Sequence, residues 1–290
     1  MAATFASTPA EIAPPSPYDC LIISDIHLGS EMVQGRLLEC FLNWAVANSR
    51  ELVINGDIFD DLNFKRLKKR HFACLKIIRK NSDRPDFRLT WIRGNHDGPA
   101  DIIGHIVGVN ILDERIYEDG RIRLLILHGD QFDRIITHNP WLTEIACGLF
   151  YWIQRWFPHR AARWIRRTTK KWQRNGPQVQ DGAIEYARSL GCQAVTCGHT
   201  HSPLVAEKDG ILYVNSGTWI ESSPCPFVSV KDGEVLLRTW PPAGVPLPAG
   251  REDADEEEPG PPRKRIEDPE LRPSGASFQG FTRAGASPDA

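Results

Sequence analysis

Five short polar clusters along the chain carry side chains that could bind metal ions. In chain order they read Asp-x-His, Gly-Asp-x-x-Asp, Gly-Asn-His-Asp, His-Gly-Asp and Gly-His-x-His. The candidate metal ligands in these clusters are Asp25, His27, Asp57, Asn95, His128, His199 and His201. Such a mixture of oxygen and nitrogen donors suits Mn²⁺, Fe or Zn²⁺, whereas Mg²⁺ and Ca²⁺ favour oxygen alone and thiolates favour softer metals. We therefore expect a transition-metal site, with Mn²⁺ as the preferred ion.

Seven ligands are too many for one ion. Two divalent ions about 3.5 to 4 Å apart and bridged by a carboxylate would use them all and leave positions open for water and a phosphoryl oxygen. Each cluster alone is more typical of a turn or a core histidine, but their joint occurrence in a chain with nine histidines favours a dinuclear site. Glycines accompany the donors, where a Cβ would often clash: Gly56, Gly94, Gly129 and Gly198. This chemistry is that of a phosphoester or phosphoanhydride hydrolase.

The leaving oxygen of such a hydrolysis needs a proton, and His96 is the candidate general acid. It adjoins the predicted ligand Asn95 but is not itself one of the seven predicted metal ligands. Asp97 and Asp130 also adjoin predicted ligands. They are either hydrogen-bond partners of those ligands or ordinary turn residues, and we favour the first interpretation.

Each polar cluster directly follows a short aliphatic or β-branched run, so strand ends are expected to position the donors. The runs predict strands at 20–24, 51–55, 88–92, 122–127, 194–197, 211–214, 227–230 and 234–239. Helical spacing separates the first few runs, for example at Phe41 and Trp44. The order predicts an α/β fold, a two-sheet β-sandwich flanked by helices. Donors at the carboxyl ends of its strands would meet in one crevice.

Composition limits the class of protein. The chain has 290 residues, of which 41% are apolar and 25% charged, as in water-soluble globular proteins. Its apolar runs fall far short of the roughly 20 residues that cross a bilayer, and residues 1–17 lack the pattern of a signal peptide. Seven cysteines scattered in apolar stretches favour a reducing compartment, so we expect a cytoplasmic protein.

The two ends of the chain differ in composition from the middle. Residues 1–17 are small, polar and Pro-containing, and residues 241–290 combine ten prolines with ten acidic residues. Such segments bury too little apolar surface to offset the entropy of ordering them. We therefore expect both ends to be disordered and the folded domain to span 18–240.

Taken together, the five clusters resemble the signature of the calcineurin-like metallophosphoesterase superfamily, over roughly residues 19–240. The resemblance implies the metallophosphoesterase fold and, as nucleophile, a hydroxide shared by two metal ions. It implies that one ion is held by Asp25, His27, Asp57 and His201. It implies that the other is held by Asp57, Asn95, His128 and His199, with Asp57 as the bridge.

The same resemblance implies a role for Asp60, the second carboxylate of Gly-Asp-x-x-Asp. In the family pattern this residue orients the histidine that corresponds to His96. The alternative is that Asp60 is a helix N-cap, because helical spacing resumes a few residues later.

A basic and aromatic insertion, residues 134–178, separates the fourth cluster from the fifth. Residues 145–180 contain eight Lys or Arg and no acidic residue, and five of the nine tryptophans fall within 141–172. An apolar stripe with helical spacing runs through Leu142, Ile145, Leu149, Trp152 and Trp156. The insertion is either a helical hairpin packed on the core or an amphipathic lid that covers an acyl chain. In the second case it would contact an anionic membrane through Trp152, Trp156, Arg163 and Arg166.

This insertion is similar to that of the UDP-2,3-diacylglucosamine pyrophosphatase branch of the superfamily. That resemblance implies hydrolysis of a lipid A precursor to 2,3-diacylglucosamine 1-phosphate and UMP, at the cytosolic face of the inner membrane. The best-known enzymes of the branch have arginine in place of His96 and a different run in place of 131–133. Two alternatives stay open: a phosphohydrolase acting on a phosphomonoester, nucleotide or nucleic acid, and a non-catalytic scaffold of the same fold. The complete ligand set argues against the scaffold.

Overall fold

The computed structural model describes six stretches of the chain: residues 18–61, 63–98, 104–105, 107–133, 176–220 and 225–241. They all belong to one compact unit, Met1–Glu256, while a second unit, Glu257–Ala290, lies outside them. Both ends predicted to be disordered also lie outside them, apart from residue 241. So does the insertion up to residue 175, including Trp152, Trp156, Arg163 and Arg166.

Eleven strands and three α-helices lie completely within the described residues. The strands are β1 (Tyr18–Ile23), β2 (Ser49–Asn55), β3 (Arg88–Ile92), β4 (Ile111–Leu112), β5 (Glu114–Glu118), β6 (Arg123–Leu127), β7 (Ala194–Cys197), β8 (Leu204–Lys208), β9 (Ile211–Asn215), β10 (Cys225–Lys231) and β11 (Glu234–Trp240). The helices are α1 (Gly35–Asn48), α2 (Lys69–Ser82) and α3 (Gly176–Ser189). Every predicted strand is present, with its ends within two residues of the prediction.

The strands form two mixed sheets. The first has the order β11-β10-β1-β2-β3-β4, with β1 to β4 parallel to one another. The second has the order β5-β6-β7-β9-β8, with β6, β7 and β9 parallel. The sequence pattern does not predict β4, β5 and β8, and all three are edge strands. β4 has only two residues, and β5 and β8 mix apolar with charged residues, so none of the three shows the apolar run that marks a buried strand.

The buried apolar side chains form three hydrophobic clusters, because successive residues of a strand face opposite sides of its sheet. In β1, Cys20 and Ile22 belong to the core between the sheets, while Leu21 and Ile23 face α1 and α2. This division follows from the period of two, which points successive side chains to opposite faces of a strand. A third cluster packs α3 against the outer face of the second sheet. The predicted α/β fold with a two-sheet sandwich flanked by helices is confirmed.

The helices pack through their apolar faces. In α1 the buried side chains include Leu38, Phe41, Leu42 and Ala45, which recur at spacings of three and four. The helix ends at Asn48, and β2 starts at the next residue. Of the helices in the described ranges, none is both long and apolar enough to span a membrane.

Candidate metal centre

The five polar clusters meet at the carboxyl ends of β1, β2, β3, β6 and β7. Main-chain hydrogen bonds hold the first two loops together, since the N–H of His27 donates to the carbonyl of Asp57 over 3.0 Å. The N–H of His199 donates to both carboxylate oxygens of Asp25, at 3.1 Å each. The side chain of Asn55 donates to the carbonyl of Leu127 over 2.9 Å. These contacts join the ends of the two sheets into one crevice.

Four of the seven predicted ligands form a compact group of donor atoms. One donor atom from each of Asp25, His27, Asp57 and His201 lies within 4.8 Å of the other three. The Nε2 atoms of His27 and His201 face each other at 3.1 Å, and His201 Nε2 is 3.1 Å from Asp25 Oδ1. Three of these residues are buried and His201 is partly exposed, so the group opens to solvent at one side.

The other three predicted ligands lie on the far side of Asp57. The Oδ2 atom of Asp57 is 3.4 Å from His128 Nε2 and 3.8 Å from His27 Nε2, so Asp57 stands between the two groups. On this side, Nδ1 of His199 is 3.1 Å from Oδ1 of Asn95. The rings of His128 and His199 pack edge to face, with centroids 5.4 Å apart. The structure thus brings all seven residues together.

Five of the seven residues have a left-handed backbone. The φ angles of Asp25, His27, Asp57, His199 and His201 lie between 51° and 63°. Non-glycine residues adopt positive φ uncommonly, at about 1 to 3 kcal/mol each, and mainly at functional sites. The surrounding hydrogen bonds must hold this conformation in place.

Two of the glycines that accompany the donors in the sequence lie against the carboxylates of Asp57 and Asp25. A Cβ on Gly94 would be 2.2 Å from Asp57 Oδ1, and a Cβ on Gly198 would be 2.4 Å from Asp25 Oδ2. Real side chains do not approach this closely. The two carboxylates therefore fill the space that any larger residue at these positions would need.

The electrostatics of the group favour ionised carboxylates. Burial opposes the charge of Asp25, but His201 and His128 together outweigh burial, so the pKa of Asp25 is lowered. Burial likewise opposes the charge of Asp57, yet His128 is close enough to hold the pKa of Asp57 well below its usual value. Burial lowers the pKa of His27 to about 3, which leaves its imidazole neutral and able to donate a lone pair.

Asp60 contacts His96 by a different atom from the one that the family pattern implies. The main-chain carbonyl of Asp60 is 2.9 Å from His96 Nδ1, while its carboxylate is 2.9 Å from the guanidinium of Arg66. The N-cap alternative is wrong, because the short 3-10 helix at Phe64–Arg66 has Asn63 as its N-cap and α2 has Lys68. Sequence alone could not have found the role of the carbonyl, because it belongs to the backbone.

Asp97 is a hydrogen-bond partner of the loops and not an ordinary turn residue. Its buried carboxylate accepts five hydrogen bonds, from the main-chain N–H groups of Asp57, Ile58, Phe59 and Gly94 and from the indole of Trp91. Burial raises the pKa of Asp97 to about 6. Asp130 begins a 3-10 turn, Asp130–Phe132, directly after Gly129.

Sequence reasoning missed Asp133. Its buried Oδ2 lies 3.2 Å from Nε2 of His199. The signal available was weak: an acidic residue five positions after His128, in the turn that follows a predicted ligand.

The donor set fits divalent cations. Nε2 of His128 is buried and has no hydrogen-bond partner among the described residues, although it faces the Asp57 carboxylate. The Nε2 atoms of His27 and His201 lie 3.1 Å apart beside the Asp25 carboxylate, close enough for all three side chains to share one cation. Carboxylate and imidazole donors together are the ligands that transition metals prefer.

A two-sheet α/β sandwich with such a group at its strand ends has the architecture of a metal-dependent hydrolase. Residues 19–203 match the model of the calcineurin-like phosphoesterase family. The chain belongs to this family. It is a metal-dependent phosphoester hydrolase that binds divalent metal and acts on a phosphorylated substrate.

Solved structures resemble the chain at low identity. They include the phosphoesterase YfcE of E. coli, with 15% identity over 73% of this chain and 88% of that chain and a TM-score of 0.40. An archaeal phosphodiesterase shares 16% identity over 76% and 98%, with a TM-score of 0.39. Zn²⁺-bound Vps29 from Entamoeba histolytica shares 14% over 76% and 97%, with a TM-score of 0.38. A comparison with curated proteins gives no match.

Proposed function

We propose that this chain hydrolyses a phosphoester or phosphoanhydride with the help of two divalent cations, Mn²⁺ being the preferred ion. One observation carries the proposal: the donor atoms of Asp25, His27, Asp57 and His201 lie within 4.8 Å of one another in a mostly buried group. Buried carboxylates and imidazoles at this density are costly without a cation to share.

The assignment of ligands follows the two donor groups. Asp25, His27 and His201 would hold one ion, and Asn95, His128 and His199 the other. Asp57 would bridge them, because its Oδ2 lies within 4 Å of an imidazole nitrogen on each side. When bound, such cations lower the pKa of a water and neutralise charge on phosphoryl oxygens.

The protein itself would supply the proton for the leaving oxygen. His96 lies beside the group, and the centroid of its ring is 5.1 Å from that of His27. Its main-chain N–H donates to Asp57 Oδ1 over 2.9 Å. Its Nδ1–H donates to the carbonyl of Asp60, so Nε2 is the atom free to face substrate and carries a proton for it in the imidazolium form. Burial opposes that charged form, but Asp57 and Asp60 outweigh burial and raise the pKa of His96. The contact between Asp60 and Arg66 would keep that carbonyl in place.

For the substrate, we propose a UDP-2,3-diacylglucosamine-type pyrophosphate of lipid A synthesis, hydrolysed at the cytosolic face of the inner membrane. The support comes from the basic and aromatic insertion in the sequence, with Trp152, Trp156, Arg163 and Arg166, which lies outside the described residues. Basic residues near an anionic lipid surface contribute roughly 1 kcal/mol each to binding. Other nucleotide, phosphomonoester or nucleic-acid substrates remain the alternatives.

A substrate panel with the Mn²⁺-loaded protein tests the proposal. It would contain UDP-diacylglucosamine, a nucleotide diester, a phosphomonoester and single-stranded DNA. We expect the highest kcat/KM on UDP-diacylglucosamine, with release of UMP. A higher kcat/KM on another compound of the panel would make that compound the better candidate substrate. Failure to turn over any compound, together with no uptake of Mn²⁺, would overturn the metal-dependent function.

The double variant W152S/W156S tests the role of the insertion. We expect turnover of the lipid-linked substrate to fall while turnover of a small chromogenic diester stays near that of wild type. Equal losses on both substrates would indicate a structural hairpin. Sedimentation with vesicles of anionic phosphatidylglycerol, compared with neutral phosphatidylcholine, separates contact with the membrane from recognition of the headgroup.

A further inference from the structure

Both ring nitrogens of His199 lie within hydrogen-bond distance of a side-chain oxygen. Nδ1 lies 3.1 Å from the amide oxygen of Asn95, inside the second donor group. Nε2 lies 3.2 Å from Oδ2 of Asp133, outside that group. The side chains of His199 and Asp133 are 3% and 2% exposed, so water contributes little to either contact.

The Asp133 contact decides which nitrogen of His199 carries the proton. An ionised carboxylate only accepts hydrogen bonds, so this contact requires a hydrogen on Nε2. The amide oxygen of Asn95 is an acceptor too, so in the neutral imidazole Nδ1 keeps its lone pair and faces that oxygen as a second ligand of one cation would. His128 has the opposite arrangement: its Nδ1 lies 3.0 Å from the carbonyl of Asn55, which leaves Nε2 facing Asp57. The two neighbouring histidines therefore present different ring atoms to the same crevice. Partners of this kind orient metal-binding histidines and raise their basicity.

The position of Asp133 is itself fixed by α3. Its N–H donates to the carbonyl of Asp130 over 3.0 Å, which closes the 3-10 turn. The adjacent Phe132 packs so closely on α3 that a Cβ on Gly182 would be 2.7 Å from its ring. The side chain of Gln178 donates to the carbonyl of Phe132 over 2.8 Å. The carboxylate thus approaches His199 from a supported turn.

We propose that Asp133 is a positioning residue, which holds His199 as the Nε2–H tautomer and thereby makes Nδ1 a metal-binding atom. This inference rests on the proposed two-metal function. It concerns the second donor group, because His199, the residue that Asp133 contacts, belongs to that group.

Calorimetric titration with Mn²⁺ tests this role in the full-length chain. We expect wild type to bind two equivalents. In Asp133→Ala and Asp133→Asn the affinity for one equivalent should fall by roughly 10 to 100-fold, the usual scale for such partners, and the other equivalent should be unchanged. Asp209→Asn is the matched control, since Asp209 is an exposed carboxylate that pairs with Arg188. Wild-type affinity for both equivalents in the Asp133 variants would overturn the proposal.

A second measurement does not depend on metal. In the metal-free protein labelled with ¹⁵N-histidine, long-range ¹H–¹⁵N spectra report which ring nitrogen of His199 is protonated. We expect Nε2–H in wild type and in Asp209→Asn, and a mixture of tautomers in Asp133→Ala. An Nδ1–H tautomer in wild type would overturn the role of Asp133 even if two ions bind. Failure of wild type to bind any Mn²⁺ would instead overturn the proposed function.

Discussion

The main-chain N–H of Asp57 donates a hydrogen bond to Oδ2 of Asp97 over 3.0 Å. Asp57 is the residue that stands between the two donor groups, and its backbone is left-handed, with φ of 53°. Asp97 also accepts from Ile58, Phe59 and Gly94. One buried carboxylate therefore fixes the loop after β2 and the loop after β3 relative to each other.

Asp97→Asn should destabilise the fold strongly. The amide NH₂ would face N–H donors that the second carboxylate oxygen now satisfies, and each buried unsatisfied donor costs about 1 to 3 kcal/mol. We expect the free energy of unfolding to fall by about 3 kcal/mol or more, measured by urea denaturation of the metal-free protein. Asp113→Asn, an exposed partner of Arg93, is the control and should change stability by less than about 1 kcal/mol. An unchanged urea midpoint for Asp97→Asn would contradict the role of Asp97 as the acceptor that joins these two loops.

His96→Ala should separate proton donation from metal binding. We expect turnover to fall by roughly 10²-fold or more, the usual scale for the loss of a general acid. Metal content, measured by plasma mass spectrometry, should stay near that of wild type because the metal-facing donors are untouched. His105→Ala, at an exposed histidine, is the matched control. Unchanged turnover in His96→Ala would remove this residue from the mechanism.

Gly94→Ala should weaken metal binding. The new Cβ would be 2.2 Å from Asp57 Oδ1, so the carboxylate must move away from the site. We expect the affinity for Mn²⁺ to fall by roughly tenfold or more, as for other changes that misplace a ligand. At Gly176 no described atom lies within 4 Å of a new Cβ, so Gly176→Ala should bind as wild type does. Equal affinities in the two variants would show that the site tolerates the shift.

Removal of metal should destabilise the protein. Without cations, the buried carboxylates of Asp25 and Asp57 repel each other and the imidazoles around them are satisfied only in part. A ligand at 100 times its Kd stabilises the folded state by about 2.7 kcal/mol. We expect Tm in scanning calorimetry to be lower with EDTA than with Mn²⁺, and to recover when Mn²⁺ is restored. Identical Tm values under both conditions would argue against a metal that binds the folded state.

The sequence by itself determined the family, the fold class and the grouping of the donors. Buried strands are marked by local aliphatic runs, and the chemistry of Asp25 or His201 is a property of residue type. Because parallel strands place their carboxyl ends at one edge, a polar cluster after each strand is enough to predict a common crevice. Which donors share a sheet follows from this rule, but the meeting of the first sheet's donors with the histidines of the second sheet depends on how the two sheets stack.

Only the tertiary structure decided which atoms meet. Asp133 and His199 are 66 positions apart and lie in different loops of the second sheet, so no local pattern links them. The contact of Asp60 with His96 uses a backbone carbonyl, which every residue has. Four of the five hydrogen bonds to Asp97 depend on main-chain N–H groups aimed by φ and ψ. The edge strands β4, β5 and β8 are likewise set by pairing with a neighbour and not by their own residues. Local periodicity encodes burial, whereas the direction of a hydrogen bond is fixed only when distant segments pack.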